Sequence, residues 1–390
     1  MKYLRTLSTA RLLVGAIALV AALVASAIAV AASQGSGPTP PPKPLADALH
    51  DALSAPQPSG VTARVTFTNN LFPSGALTGS TGSALMSGAS GRLWLSDNGG
   101  RIELQSDAGD VQIVWNDTKV TVYDASSNTA YVADLPQKQT TSSDHSPPSV
   151  DQITQFLADL GGHWTISDAQ PTDIAGEPAY SVQVSPKHDG GLLGKAELAW
   201  DAVQGVPLRV AIYAQGASAP ALALDVTDIS FGPVSDSDIA VSPPAGAKIV
   251  DLSSQTQDKT GADTPPVTGL AAVQAAAPFA VVAPDTLVGL PRQDVRLVGP
   301  ADSRSAVVVY GEGLGAIAVV ERAQDTTSAG TGKSGTGLDS LPAISLDGIT
   351  AHELSTELGT VLAWDRGGVS YILAGSVPSA AAEAAARGLK

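Results

Sequence analysis

Residues 91–136 read GRLWLSDNGGRIELQSDAGDVQIVWNDTKVTVYDASSNTAYVADLP. Five short runs (RLWLS, RIELQS, VQIVW, KVTVYD and TAYVADL) are separated by Asn98-Gly99-Gly100, Asp107-Ala108-Gly109-Asp110, Asn116-Asp117 and Asp124 to Asn128. Side chains in a strand alternate between faces, so an alternating run has one buried face and one wet one. Leu93, Leu95, Ile102, Leu104, Val111, Ile113, Trp115, Val120 and Val122 mark the apolar face, and Arg92, Arg101, Glu103, Gln105, Gln112, Lys119 and Thr121 the polar one. Turns this short join antiparallel strands, because parallel pairing needs a long crossover. The stretch is therefore a meander with one large apolar face that something must cover.

Working outward, Leu45, Leu49 and Leu53 form one stripe of a short helix, and Val61 to Phe67 alternates as a strand. Asn70–Ser90 is rich in Gly, Ser and Thr and reads as a long loop, as does the polar stretch Gln137–Pro148. Val150, Ile153, Phe156, Leu157 and Leu160 share one helical face, with Ser149 placed to cap it. A second strand group follows as WTISDA, AYSVQV, KAELAWD, PLRVAIYA and ALALDVTDISFG. The polar run QTQDKTGADTPP (255–266) marks a boundary. Beyond it, RSAVVVYGEG and GAIAVVERA read as a hairpin. AISLDG, ITAHELST, TVLAWDRGG and VSYILAGS read as further strands, with a tight turn at Asp365-Arg366-Gly367-Gly368, and an Ala-rich helix ends the chain. The expected organisation is an N-terminal apolar segment (1–33), a Pro/Gly tether (34–44), a first domain (45–250), a linker (251–266) and a C-terminal α+β domain (267–390).

Leu12 to Ser33 carries no charge over 22 residues, which as a helix of ~1.5 Å per residue is long enough for a hydrocarbon core of ~30 Å. Lys2, Arg5 and Arg11 precede it, so the positive-inside rule places them in the cytoplasm and the rest of the chain outside. Ala29-Val30-Ala31 also fits a small-residue cleavage site, but the usual signal-peptide apolar region is only ~7–15 residues long. The expectation is an uncleaved anchor in the cytoplasmic membrane; cleavage would give a secreted protein, and both readings export the chain.

The net charge is −15, and because the first 33 residues hold three cations and no acid, the remainder stands at −18. Such a body does not track a phosphate backbone, which excludes nucleic acid as a partner. With 44% hydrophobic and only 4% aromatic residues the core is built from Ala, Val, Leu and Ile. The absence of cysteine removes disulfides, thiolate metal sites, thiol nucleophiles and a lipid-modified N-terminal cysteine.

No motif carries catalytic chemistry. Gly332-Lys333-Ser334 resembles the end of a phosphate-binding loop, but Thr327 stands where its first glycine belongs. His50, His145, His163, His188 and His352 show no metal spacing, and His352 and Glu353 diverge across a strand. No Gly-x-Ser-x-Gly elbow is present. The carboxylates sit mainly at turns, as Asp107, Asp110, Asp117 and Asp124 do. We therefore expect no enzyme, no cofactor and no metal.

Helix, long strand, meander, helix, second meander is an order that resembles the LolA/RseB-like lipoprotein-carrier superfamily, in particular the anchored LolA-like proteins of actinobacteria. The stretch quoted above carries the likeness, together with AYSVQVSP, GKAELAWDAVQGVPLRVAIYA and TDISFGPV, over about residues 45–250. The resemblance implies an α+β fold: an unclosed, curved antiparallel β half-barrel wrapped on helices, plus a small α+β domain. It also implies a hydrophobic cavity for acyl chains. On this chain the lining falls to Val65, to Leu93, Leu95, Ile102, Leu104, Val111, Ile113, Trp115, Val120 and Val122 of the meander, and to Ile153, Phe156 and Leu157, with the helix 150–160 as its lid. The C-terminal part, through Gly367-Gly368-Val369-Ser370-Tyr371-Ile372-Leu373-Ala374-Gly375, more distantly resembles small membrane-associated modules. The function implied is local transfer or sensing of a lipid or lipoprotein at the membrane. The alternative is an RseB-like regulator acting on a membrane signalling partner.

Overall fold

The computed structural model describes residues 38–71, 84–135, 147–187, 190–253, 267–300, 303–324, 338 and 341–390. The apolar segment 12–33, the start of the tether, most of the linker, His145, His188 and the Gly332-Lys333-Ser334 motif lie outside the described residues. Among the described residues no helix is long and apolar enough to cross a membrane.

Two sheets dominate. The first has 13 strands and is curved and unclosed. A helix, α1 (Leu45–Ser54), precedes β1 (Val61–Asn69). A single helical turn, α2 (Ala84–Ser87), leads into the meander β2 (Ala89–Ser96), β3 (Gly99–Ser106), β4 (Gly109–Trp115), β5 (Lys119–Asp124) and β6 (Thr129–Asp134). Helix α3 (Val150–Leu160) then separates the meander from β7 (Trp164–Ile166), β8 (Gln170–Ile174), β9 (Glu177–Pro186), β10 (Leu193–Asp201), β11 (Pro207–Ala214) and β12 (Leu222–Phe231). The strand order β13-β6-β5-β4-β3-β2-β1-β12-β11-β10-β9-β7, with β8 beside β9, joins the two strand groups through β1 and β12. β13 (Lys248–Asp251) closes one edge by pairing parallel to β6. That pairing is possible because the chain makes a long crossover after β12, through the short helix α4 (Asp236–Ile239).

The second sheet has nine strands. They are β14 (Val267–Thr268), β15 (Thr286–Leu287), β16 (Leu290–Val298), β17 (Ser305–Tyr310), β18 (Ile317–Ala323), β19 (Ala343–Leu346), β20 (Ile349–Thr356), β21 (Gly359–Arg366) and β22 (Val369–Gly375). β17 and β18 form the expected hairpin. The β21–β22 turn has positive φ at both Gly367 (59°) and Gly368 (79°), the conformation a two-residue hairpin turn requires and glycine adopts without strain. Helices α5 (Leu270–Ala276) and α6 (Ser379–Gly388) pack on this sheet, burying Val273 and the small side chains of Ala382, Ala385 and Ala386.

The sheets meet at a narrow seam. The backbone N–H of Leu192, at the β9–β10 turn, donates to the Ser376 carbonyl at 3.1 Å and to its Oγ at 3.0 Å. Glu357 N–H donates to the Leu71 carbonyl at 3.4 Å.

Candidate functional site

The strand register resolves the apolar face of the first sheet into three rows. One runs Val61, Leu95, Gly100, Trp115, Val120, Ala133. The next runs Ala63, Leu93, Ile102, Ile113, Val122, Tyr131. The third runs Val65, Gly91, Leu104, Val111 and ends at Asp124. That carboxylate turns away into its own loop, accepting from Ser126 N at 2.9 Å and Ser126 Oγ at 2.6 Å. The rows continue onto β12 through Phe231, Ile229 and Val226. Cross-strand neighbours of this kind are the unit of sheet packing. Here they merge into one cluster that also takes in Ala179, Ala199 and Leu208.

The structure brings together Val65, Leu93, Ile102, Leu104, Val111, Ile113, Trp115, Val120 and Val122 as buried members of this cluster, with Leu95 half-buried against it. Trp115 lies over Gly100, where a Cβ would fall 2.2 Å from its ring. The helix 150–160 lies elsewhere. Its N-terminus has a full capping box: Ser149 Oγ accepts from Gln152 N at 3.3 Å and Gln152 Oε1 accepts from Ser149 N at 2.8 Å. Leu157 packs in a separate cluster with Leu45 and Ala48 of α1 and with Tyr180 and Trp200 of β9 and β10. Ile153 is buried outside the meander cluster, and Phe156 is 61% exposed. The Ile153, Phe156, Leu157 stripe therefore does not cover the meander, because α3 spends its apolar face on α1 and the second strand group.

The element that does lie on the meander is α2. Ala84 is fully buried in the cluster, Leu85 packs against it, and Asn69 Nδ2 donates to the Leu85 carbonyl at 2.7 Å. Sequence reading places α2 inside a Gly/Ser/Thr loop. The available signal is the apolar triplet Ala84-Leu85-Met86, too short to show a period.

Tyr131 and the outward-turned Asp124 are the titratable groups of the inner rows, so apart from the Tyr131 hydroxyl and the Trp115 indole this face offers a ligand dispersion and hydrophobic contact. Charge collects elsewhere. On the opposite face Arg209 pairs with Glu197 at 3.0 Å and Asp225 at 2.7 Å, and donates to Tyr213 Oη at 2.9 Å. Burial pushes the Asp225 carboxyl up to about 6; Arg209 opposes that shift and Glu197 adds to it. In the second sheet Glu321 is fully buried, and burial pushes it up to about 7 against the Val282 N–H it accepts at 2.9 Å. Among the described residues no three His, Cys, Asp or Glu side chains group as a metal set.

No protein-family model matches this chain, and no curated protein sequence matches it. Among solved structures it is similar to MucB in complex with MucA(peri), at 14% identity and a TM-score of 0.41, covering 88% of this chain and 94% of that one. The Pseudomonas aeruginosa MucA/MucB complex is similar at 14% identity and a TM-score of 0.41, covering 87% and 95%. A LolA superfamily protein from Nitrosomonas europaea is similar at 11% identity and a TM-score of 0.21, covering 51% of this chain and 98% of that one.

Proposed function

We propose that this chain is an exported, membrane-tethered binding protein that holds an acyl chain, of a lipid or of a lipidated protein, against the inner face of its first sheet. One observation carries the reading: the three inner rows present a continuous apolar surface, aliphatic apart from Trp115 and Tyr131, and the helical element lying on the meander part of it is a single turn. Magnitudes favour exchange of that cover for a ligand. Uncovering a leucine such as Leu85 costs about 1.5–3 kcal/mol, whereas each methylene buried in its place contributes about 0.8 kcal/mol. A handful of methylenes therefore offsets the loss of α2. In this mechanism α2 lifts, the chain inserts along the rows, and release returns α2 to its place. The N-terminal anchor makes handover local, to a partner or to the membrane itself.

The seam favours a second reading, a sensor that acts on a membrane signalling partner. Leu71, whose carbonyl accepts from Glu357 of the second sheet, lies on the chain between β1 and α2. Displacement of α2 would thus be felt where the two sheets touch.

Native mass spectrometry of the full chain taken from bacterial membranes, with organic extraction, tests both. Discrete adducts of lipid mass are expected, with higher occupancy in Leu85→Ala, which weakens the cover without adding a polar group. A bare mass in both forms after incubation with membrane lipids would sink the lipid reading. A membrane protein recovered with the bare chain would then leave the sensor.

A further inference from the structure

The outer face of the first sheet carries a feature that the acyl-chain reading does not use. An open cavity of about 640 Å³ lies over β1, β2 and β3, on the side opposite the apolar rows. Two departures from a regular pleat shape it. β1 and β12 slip at Arg64/Val65, so that Thr227 is left as an extra residue between the pairs Arg64–Asp228 and Val65–Val226. In β2, a Cβ at Gly91 would fall 1.7 Å from the Glu103 carbonyl oxygen, so β2 and β3 approach more closely there than any other residue allows.

Three arginines line this cavity against a single carboxylate, Glu103. Arg64 and Arg92 stand directly opposite each other in register, an arrangement in which like charges repel, with Asp228 and Glu103 as their neighbours on the outer sides of the pair. Among the described residues the Arg64 side chain pairs only with Asp228, at 3.7 Å, with the two side chains 63% and 67% exposed. Pairs that exposed hold each other weakly. The Arg92 side chain makes no hydrogen bond or ion pair among the described residues. Glu103 is already shared: the same oxygen accepts from Arg101 and, at 3.1 Å, from Gln112 Nε2. Arg101 lies over the Trp94 ring at 4.8 Å and donates to the Asp238 carbonyl at 2.9 Å, while its buried Nε has no hydrogen-bond partner.

The same face shows how this fold satisfies an arginine when nothing else is to be bound. Arg209, on β11, is closed off by two carboxylates and a tyrosine hydroxyl. Around Arg64, Arg92 and Arg101 three cations meet two carboxylates, Asp228 and Glu103, on a chain whose net charge is −15. Fields of this kind concentrate anions. A carboxylate is saturated by one bidentate guanidinium; two guanidiniums facing each other suit a dianion with three or more oxygens. We infer that this cavity binds a phosphate group, held between Arg64 and Arg92 with Arg101 behind it. The hydroxyls of Thr66 and Ser90 and the amide of Gln105 supply further donors. The group could come from a soluble phosphomonoester or from the headgroup of an anionic lipid.

Isothermal titration calorimetry on the full chain in non-ionic detergent, with inorganic phosphate, glycerol 3-phosphate and water-soluble dihexanoyl phosphatidic acid as probes, separates these sources. Saturable binding of at least one probe is expected. It should weaken about tenfold or more in Arg64→Ala/Arg92→Ala, the loss of one charge-assisted contact or more. Lys119→Ala, a surface cation on another strand, should leave it unchanged. Binding of glycerol 3-phosphate supports a soluble phosphate compound. Binding of the phosphatidic acid alone, with the same loss in the double variant, supports a headgroup. Because Arg64 and Arg92 are exposed, the double variant should fold, and its unliganded melting temperature should be no lower than that of the parent. No saturable binding by any probe, or binding that survives the double variant, would overturn the inference. Phosphatidic acid bound through its acyl chains to the inner face would give that last result, and so would not be mistaken for this site.

Discussion

The two sheets of this molecule bury their inner faces in different ways. Across the first, the middle row runs Ala63, Leu93, Ile102, Ile113, Val122, Tyr131. Across the second, the corresponding central row runs Leu297, Ala306, Glu321, Tyr371, Trp364, Ala351. Glu321 accepts from the Val282 N–H and so fixes the segment after α5 to β18, while its Oε1 is buried with no hydrogen-bond partner. Trp364 and Tyr371 stack with centroids 5.1 Å apart and planes 3° from parallel. A face whose rows are aliphatic apart from Trp115 and an edge Tyr131 can exchange one apolar cover for another, because its central positions have no directional partner to lose. A face pinned through a buried carboxyl cannot: lifting the Val282 segment removes the one hydrogen-bond donor that Glu321 has among the described residues. On the proposed reading, the first sheet is the one that admits a ligand and the second the one that stays shut.

The largest expected effect tests the rigidity of the second sheet. Trp364 is 2% exposed and stacked, so Trp364→Ala should cost about 3–5 kcal/mol, as deletion of a buried aromatic does when the cavity cannot collapse. Chemical denaturation measures it. A loss below about 1 kcal/mol would mean that the second core relaxes as readily as an aliphatic one, and the contrast would fail.

The pH dependence of stability sharpens the same contrast. An unfolded Glu321 titrates near 4.5, whereas burial in the folded state carries it to about 7. Between those values the folded chain holds a proton that the unfolded chain has lost, so stability falls as pH rises through that window and is level above it. The contribution is on the order of 3 kcal/mol. Asp225 acts in the same direction at lower pH, from 3.8 to about 6, with burial as the larger cause and Arg209 opposing it. Glu321→Gln should flatten the upper part of the slope, and Asp225→Asn the lower part. A slope from pH 6 to 7 unchanged in Glu321→Gln would remove Glu321 from this role.

Much of this fold is legible in the chain itself, and the reason lies in local consistency. In the meander, alternation, turn chemistry and burial agree at nearly every position, and β4 and β5 end on the expected Trp115 and Asp124. Ser149 caps α3 as its position suggests. The Gly367-Gly368 turn is readable for the same reason, since only a positive-φ pair joins those strands so tightly. What stays hidden depends on distant contacts. β8 contains Pro171 and is a strand only because β9 offers it an edge. β13 forms only when β6 is there to pair with. The cover on the inner face could not be assigned from periodicity: α3 shows a clear apolar stripe and packs elsewhere, whereas α2 has a single turn and no measurable period. The arginine cavity depends on which residues of β1 and β2 stand opposite each other, and the register between strands so far apart in sequence is not written in either one.

The smallest predicted effect decides between those two helices. Ser149→Ala removes the side-chain acceptor for Gln152 N–H and should cost about 1 kcal/mol, the usual loss for an N-cap serine. Because α3 packs on α1 and the second strand group rather than on the meander, this loosening should leave lipid occupancy in native mass spectra unchanged, while Leu85→Ala raises it. Chemical denaturation of both variants ranks their loss of stability, so that a difference in occupancy is assigned to position only where it does not follow that ranking. Equal occupancy changes in both would assign the cover to the fold as a whole. A change in Ser149→Ala alone would return the lid role to the helix at 150–160 and leave α2 as a passive part of the core.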